Sequence, residues 1–231
     1  MPVQPVFLEL NRPFPSPNNA LDDPNGLLAI GADLSPRRLI AAYDNGIFPW
    51  FSDDQPVLWW SPNPRIGLDL SVHTVNKSMQ KFMRKTSLQV SVNRDFSQVI
   101  KRCAALRTDE TWINSDMIKA YIALHQLGRA HSVEVWKNDE LVGGLYGVLV
   151  GKIFCGESMF HTETNASKLA FHSFCHHFKQ HGGIYIDGQV ENPHLISLGM
   201  QAIGRENFLD LLCKHKDDQV NLNCWHQQEI F

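Results

Sequence analysis

Three apolar segments, residues 132–137, 140–150 and 152–160, follow one another with only Asn138-Asp139 and Gly151 between them. Asn and Asp tolerate the left-handed backbone of a two-residue hairpin turn and Gly adopts it without strain, so the run predicts an antiparallel meander. A sheet of this kind has to bury a face, and the next segment supplies a cover. Asn165 is expected to cap a helix in which Ala170, Phe174 and Phe178 recur every four residues, and Gly182-Gly183 closes it. Residues 184–187 then read as a buried strand.

Upstream, residues 74–84 place Val75, Met79 and Phe82 on one helical face, with Lys77, Lys81 and Arg84 on the other. A strand at 88–92 follows. Helices are expected at 96–105 behind Asp95 and at 116–127, the latter starting from Ser115 and stopping at Gly128. Two short helices, 194–198 and 205–213, complete the body, and the polar stretch after Lys214 is expected to be a loosely held tail.

The first 65 residues differ in character. They are rich in Pro, Asn, Gly and Trp, and their apolar runs are too short for a conventional core. One helix stands out, at 37–45, with Ser35 as N-cap, Pro36 in its first turn and Gly46 as its stop. The expected architecture is α+β: a small irregular N-terminal domain, 1–65, packed on a larger domain, 66–231, with a mostly antiparallel sheet. The order of elements in the larger part resembles that of the N-acetyltransferase (GNAT) fold.

With 21 Lys and Arg against 24 Asp and Glu, the net charge of −3 excludes a uniformly basic nucleic-acid-coating protein, so any RNA contact has to be a local patch. No basic stretch followed by an apolar run opens the chain, and no segment has the apolar length of a membrane span. The expectation is a soluble cytoplasmic protein without a membrane partner. The five cysteines are scattered and form no C-x-x-C pair, as befits free thiols.

Asp187-Gly188-Gln189 is the sharpest local feature. It follows an apolar strand stub, so a carboxylate and a carboxamide two residues apart emerge on one side of a strand end. The Asp can orient the Gln side chain while the Gln oxygen accepts a hydrogen bond from an attacking amine; the plainer alternative is a turn-stabilising Asp. Glu157 interrupts the apolar strand 154–160 and by strict alternation shares a face with Cys155 and Met159. It either lines a cleft, where it can pair with a substrate cation, or faces water as an ordinary surface carboxylate. Lys77, Lys81, Arg84 and Lys85 form a basic strip that can grip phosphates or simply be a solvated face. Trp50, Trp59, Trp60 and Trp112 can stack on bases or fill an irregular core.

His172 and His176 lie one helical turn apart, but Phe174 and Phe178 claim the inward face. The two histidines are therefore expected outside with Lys179, with no acidic residue between them and no metal site. No G-x-S-x-G elbow is present, and Cys155 and Cys175 sit in apolar contexts that suit inert thiols.

Taken together, the segments resemble the leucyl/phenylalanyl-tRNA-protein transferase family from about Phe14 to Leu212. The likeness is carried by Pro24-Asn25-Gly26-Leu27-Leu28-Ala29, Gly46-Ile47-Phe48-Pro49-Trp50-Phe51, Leu58-Trp59-Trp60-Ser61-Pro62, Thr111-Trp112-Ile113 and Ala130-His131-Ser132-Val133-Glu134-Val135-Trp136. It continues through Leu141-Val142-Gly143-Gly144-Leu145-Tyr146-Gly147, Cys155-Gly156-Glu157-Ser158-Met159-Phe160, Asn165-Ala166-Ser167-Lys168 and Ile186-Asp187-Gly188-Gln189.

The resemblance implies transfer of Leu, Phe and less efficiently Met from aminoacyl-tRNA to the N-terminal Arg or Lys of proteins, marking them for degradation, by a monomer that needs neither metal nor CoA. It also implies an aminoacyl pocket of Leu145, Phe154, Met159, Phe171, Phe178 and Ile186. Trp50, Trp112 and Phe174 fall around the terminal adenosine, and Lys77, Lys81, Arg84 and Lys85 fall along the tRNA backbone. Asp187, Gln189 and Glu157 are the expected catalytic group, with Asp187 polarising Gln189 and Glu157 binding the acceptor. One rival is a CoA-dependent N-acetyltransferase, for which no R/Q-x-x-G-x-G/A loop is found. The other is a non-catalytic adaptor for RNA or basic N-termini.

Overall fold

The computed structural model describes residues 4–106 and 112–231; Thr111 lies outside the described residues. Its strands are β1 (Val6–Leu8), β2 (Leu27–Gly31), β3 (Phe48–Pro49), β4 (Leu58–Trp60), β5 (Arg65–Asp69), β6 (Gln89–Val92), β7 (Ala130–Lys137), β8 (Glu140–Val150), β9 (Ile153–His161), β10 (Tyr185–Gln189), β11 (Gln201–Ile203) and β12 (Gln228–Glu229). The helices are α1 (Pro36–Tyr43), α2 (Lys77–Met83), α3 (Phe96–Ala105), α4 (Ser115–Gln126), α5 (Ala166–Gln180), α6 (Pro193–Ser197) and α7 (Arg205–His215). An eight-stranded sheet runs in the order β11-β5-β10-β9-β8-β7-β6-β12, beside a four-stranded sheet in the order β1-β2-β4-β3.

The meander forms as its turn residues dictate. Asn138 and Asp139 take φ of 49° and 62°, the left-handed pair that matches the twist of the β7–β8 hairpin, and Gly151 does the same at 57° before β9. β10 then returns parallel to β9, while the other pairs in the large sheet are antiparallel. α3 begins as expected, with Asp95 accepting from the Gln98 N–H at 2.9 Å. α2 begins only at Lys77, because Asn76, not a residue nearer Thr74, accepts from the Met79 N–H. Asn114 likewise caps α4 ahead of Ser115. Asn165 precedes α5 without capping it through its side chain: at φ 65° it lies outside the extended backbone that an N-cap needs.

The large sheet is buried on both faces. One face packs with α1, α3, α4, α7 and the small sheet around Leu39, Tyr43, Trp59, Phe96, Tyr121 and Phe208. The other packs with α2 and α5 around Met79, Leu145, Phe154, Phe171, Phe174 and Phe178.

Three expectations need correction. The N-terminal region does build a sheet core, because short strands suffice when Trp59 is fully buried and its indole N–H donates to the Gly31 carbonyl at 2.8 Å; Trp59 is therefore core filling. The segment after Lys214 is packed: α7 reaches His215, Val220 and Cys224 are buried, the Trp225 ring stacks on His131 at 3.8 Å, and β12 pairs with β6. His172 is buried rather than outward, since α5 is covered on two sides, and it meets His73 at 3.0 Å.

Candidate active site

β9 and β10 are paired from Tyr185↔Ile153 to Asp187↔Cys155 and then part. Where they separate, a cavity of about 530 Å³ opens between Gly156, Glu157, Ser158 and Met159 on one side and Asp187, Gly188, Gln189 and Val190 on the other. Both strands are irregular there. The β8–β9 register slips so that Tyr146 faces Ser158 and Gly147 faces Gly156, which leaves Glu157 without a partner across the ladder. The β10–β5 register slips between Asp187 and Gln189, and Gln189 takes φ 65°. Such bulges re-aim side chains. They separate Glu157 and Cys155, on the α1/α4 side of the sheet, from Met159, which packs with the α5 core, so strict alternation fails at this point.

Glu157 neither faces water nor waits unpaired for a substrate cation. It is 9% exposed; its Oε1 accepts from the Tyr43 hydroxyl at 2.6 Å and from Gln189 Nε2 at 2.7 Å, and its Oε2 accepts from the Tyr121 hydroxyl at 2.9 Å. The two tyrosine hydroxyls also touch each other. Burial raises the Glu157 carboxyl to about 7, with the three hydrogen bonds opposing that rise and the Asp187 charge adding to it. Burial and Glu157 together hold both tyrosines well above their ordinary range, so they remain donors.

Asp187 is fully buried and its carboxylate is held by Arg65, with Nε donating to Oδ1 at 2.8 Å and Nη2 to Oδ2 at 2.7 Å. Arg65 lies between the Phe48 and Phe208 rings, 4.8 and 4.6 Å from their centroids. Oδ1 also accepts the Gln189 backbone N–H at 2.9 Å. The expected link from Asp187 to the Gln189 carboxamide is thus corrected: that amide donates to Glu157, and Asp187 grips the main chain beneath it. Burial, then the Asp187 charge, raises the Cys155 thiol far above its ordinary range, which makes it inert.

The apolar wall of the cavity contains Leu145, Phe154, Met159, Phe171, Phe174 and Ile186, joined by Leu195 and Met200. Gly188 matters here, because a Cβ on it would come within 2.5 Å of the Met200 Sδ. Phe178 does not line the cavity; it stacks behind Phe174 at 5.2 Å. Trp50, 45% exposed, and the half-buried Trp112 stand at the rim, whereas Phe174 belongs to the inner wall, 1% exposed and 4.6 Å from Phe154. Lys77, Lys81, Arg84 and Lys85 are exposed on and after α2 and do not reach the cavity.

Known proteins match this chain along most of its length. The family model described as Leucyl/phenylalanyl-tRNA protein transferase matches residues 68–213, and the model of that transferase's N-terminal domain matches residues 32–63. The chain belongs to the leucyl/phenylalanyl-tRNA protein transferase family. Curated relatives named leucyl/phenylalanyl-tRNA–protein transferase include one from Vibrio cholerae serotype O1, 54% identical over 93% of this chain and 89% of that protein. Another, from Tolumonas auensis, is 51% identical over 94% of each chain. Membership makes the chain an aminoacyltransferase. Among solved structures, L-PGS from Bacillus licheniformis aligns at a TM-score of 0.40 and 12% identity over 71% of this chain and 53% of that one, too loose a likeness to carry an argument.

Arg65, Tyr43 and Tyr121 are the members of this candidate site that the sequence does not announce. Glu157 was the available signal: a carboxylate inside an apolar strand needs donors. Tyr43 and Tyr121 lie inward on α1 and α4, where an aromatic body and a polar tip meet that need.

Proposed function

We propose that the cavity holds the side chain of a leucyl or phenylalanyl group, less efficiently a methionyl one, on the 3′ end of tRNA, and that the acceptor is a protein beginning with Arg or Lys. The observation that carries this reading is a buried carboxylate, raised to about 7 and bonded to Gln189, on the polar floor of an apolar-walled cavity.

The donor ester is already activated, so the enzyme's task is to align an uncharged α-amine and manage its proton. With its Nε2 committed to Glu157, Gln189 offers its Oε1 to an N–H of that amine. As the amine nitrogen bonds to the ester carbonyl carbon, the ester C–O bond breaks and the ribose oxygen leaves with a proton. Glu157, whose affinity for protons matches neutral pH, takes the proton that the amine sheds and returns it to the leaving oxygen. Arg65 and Asp187 position the Gln189 main chain. Trp50 and Trp112 offer stacking surfaces for the terminal adenosine, and Lys77, Lys81, Arg84 and Lys85 offer phosphate contacts. No cofactor enters this scheme.

The large sheet, with its parallel β9–β10 pair parting at the site, supports an acetyltransferase-like reading of a 66–231 domain beside a 1–65 domain. We take the enzyme to act as a cytoplasmic monomer; among the described residues no helix is long and apolar enough to cross a membrane. The test supplies labelled Leu-tRNA, Phe-tRNA or Val-tRNA with peptides beginning with Arg, Lys or Ala. Transfer from the first two donors to the first two peptides is expected. Binding of tRNA without any transfer would return the adaptor reading.

A further inference from the structure

We propose that His177, His181 and Cys224 form a binding site for a thiophilic divalent cation, zinc above all, which clips the C-terminal segment to the end of α5. One nitrogen from each ring and the Cys224 Sγ lie within 4.8 Å of one another. Tetrahedral zinc with ordinary Zn–N and Zn–S bonds spaces such atoms about 3.3–3.6 Å apart, so side-chain rotations of about 1 Å close the site.

The main chain already brings the groups together. His177 and His181 are one turn apart at the end of α5, and the Asn221 N–H donates to the His181 carbonyl at 2.9 Å, setting the turn that carries Cys224 against the helix terminus. Each ring donates one N–H to a backbone carbonyl, His177 Nε2 to Cys224 O at 2.9 Å and His181 Nδ1 to His177 O at 2.8 Å, which leaves one lone pair per ring. A backbone carbonyl fixing the second nitrogen is the usual support of a histidine ligand. The carboxyl end of a 15-residue helix favours positive charge. Two imidazoles and a thiol select zinc, copper or cobalt over magnesium or calcium. His177 and Cys224 are buried and His181 is half-buried, so solvent reaches the site past His181 and supplies a fourth ligand. On binding, the Cys224 thiol loses its proton to solvent as the sulfur–metal bond forms, one proton per ion.

The site lies apart from the transfer chemistry yet touches its wall: Trp225, next to Cys224, packs 5.8 Å from the rings of both Phe154 and Phe174, which line the cavity. The other helical-turn pair on α5, His172 and His176, is not involved.

The test titrates EDTA-dialysed full-length protein with zinc by calorimetry and with cobalt(II) by absorption. One equivalent of zinc, a thiolate-to-cobalt charge-transfer band and a raised unfolding temperature are expected. Cys224→Ser should abolish the band, and His181→Gln, at a half-buried position that does not endanger folding, should weaken zinc binding at least about tenfold. Cys213→Ser, at the exposed thiol, should change nothing. Failure of the wild-type protein to bind one equivalent would overturn the proposal, as would a band that survives Cys224→Ser or disappears in Cys213→Ser.

Discussion

The polar floor and the apolar wall of the cavity differ in how they hold their shape. The wall is conventional packing, in which Phe171 and Phe174 of α5 cluster with Phe154 and Ile186 of the sheet, with no polar atom on these side chains to satisfy. The floor is a closed hydrogen-bond system in which Tyr43, Tyr121 and Gln189 converge on Glu157 while Arg65 neutralises Asp187. Wall residues are replaceable by degrees, because dispersion and area are graded quantities. Floor residues are not, because a buried charge or donor that loses its partner bears its full desolvation cost.

The steepest break in that contrast is Arg65→Ala. It leaves Asp187 charged and dry, and a loss of about 3–5 kcal/mol is expected in urea unfolding, with part of it recovered in the Arg65→Ala/Asp187→Ala double variant. A double variant as unstable as the single one would show that Arg65 acts through packing alone.

Next in size is Glu157→Gln, read as stability against pH. Below about pH 4.5 the carboxyl is protonated whether the chain is folded or not. Between there and about 7 the folded chain keeps its proton and the unfolded chain sheds it, so stability falls as pH rises; above about 7 the deficit is constant. The wild-type curve minus the variant curve should therefore drop by roughly 3 kcal/mol across that window. His131, which burial lowers to about 3, slopes the other way in acid, but equally in both proteins, so the difference removes it. A flat difference would mean that Glu157 titrates normally.

On the wall, Met159→Ala should favour phenylalanyl over leucyl donors by about tenfold in relative kcat/KM, the 1–3 kcal/mol scale of apolar discrimination. Smallest is Trp50→Ala at the rim. Its 45% exposure leaves stability within about 0.5 kcal/mol of wild type. Loss of one stacking surface should raise KM for aminoacyl-tRNA roughly fivefold at unchanged kcat.

The wall was more legible in the sequence than the floor, for a physical reason. Phe174 and Phe178 repeat at helical spacing on the inward face of α5, Leu145, Phe154 and Ile186 sit in apolar strand runs, and Asn138-Asp139 sets the hairpin before Leu145, so local rules place the elements. The grouping of Leu145, Phe154 and Ile186 into one pocket follows from the family resemblance, which also puts Phe178 in the wall and Phe174 outside it, the reverse of their positions. The floor depends on partners distant in sequence: Arg65 is 122 residues from Asp187, and Tyr43 is 114 from Glu157. No local periodicity encodes such pairs. The bulges at Glu157 and Gly188 defeat alternation where it matters most, which is why Glu157 was legible as anomalous but its surroundings were not. The C-terminal segment reads as a loose tail for a related cause, since its polar composition conceals Val220, Cys224 and Trp225, each held by contacts made elsewhere in the chain.

Transfer by this route requires Glu157 to handle the proton at a neutral affinity for it, and the direct measurement is the single-turnover rate of leucyl transfer to an Arg-peptide as a function of pH. The wild-type enzyme should show two inflections, one near 7 from Glu157 and a higher one from the peptide's own α-amine. Glu157→Gln should lose the lower inflection and most of the rate while retaining aminoacyl-tRNA binding. A variant that keeps both the lower inflection and the wild-type rate would contradict the account and leave the buried carboxylate a structural element only.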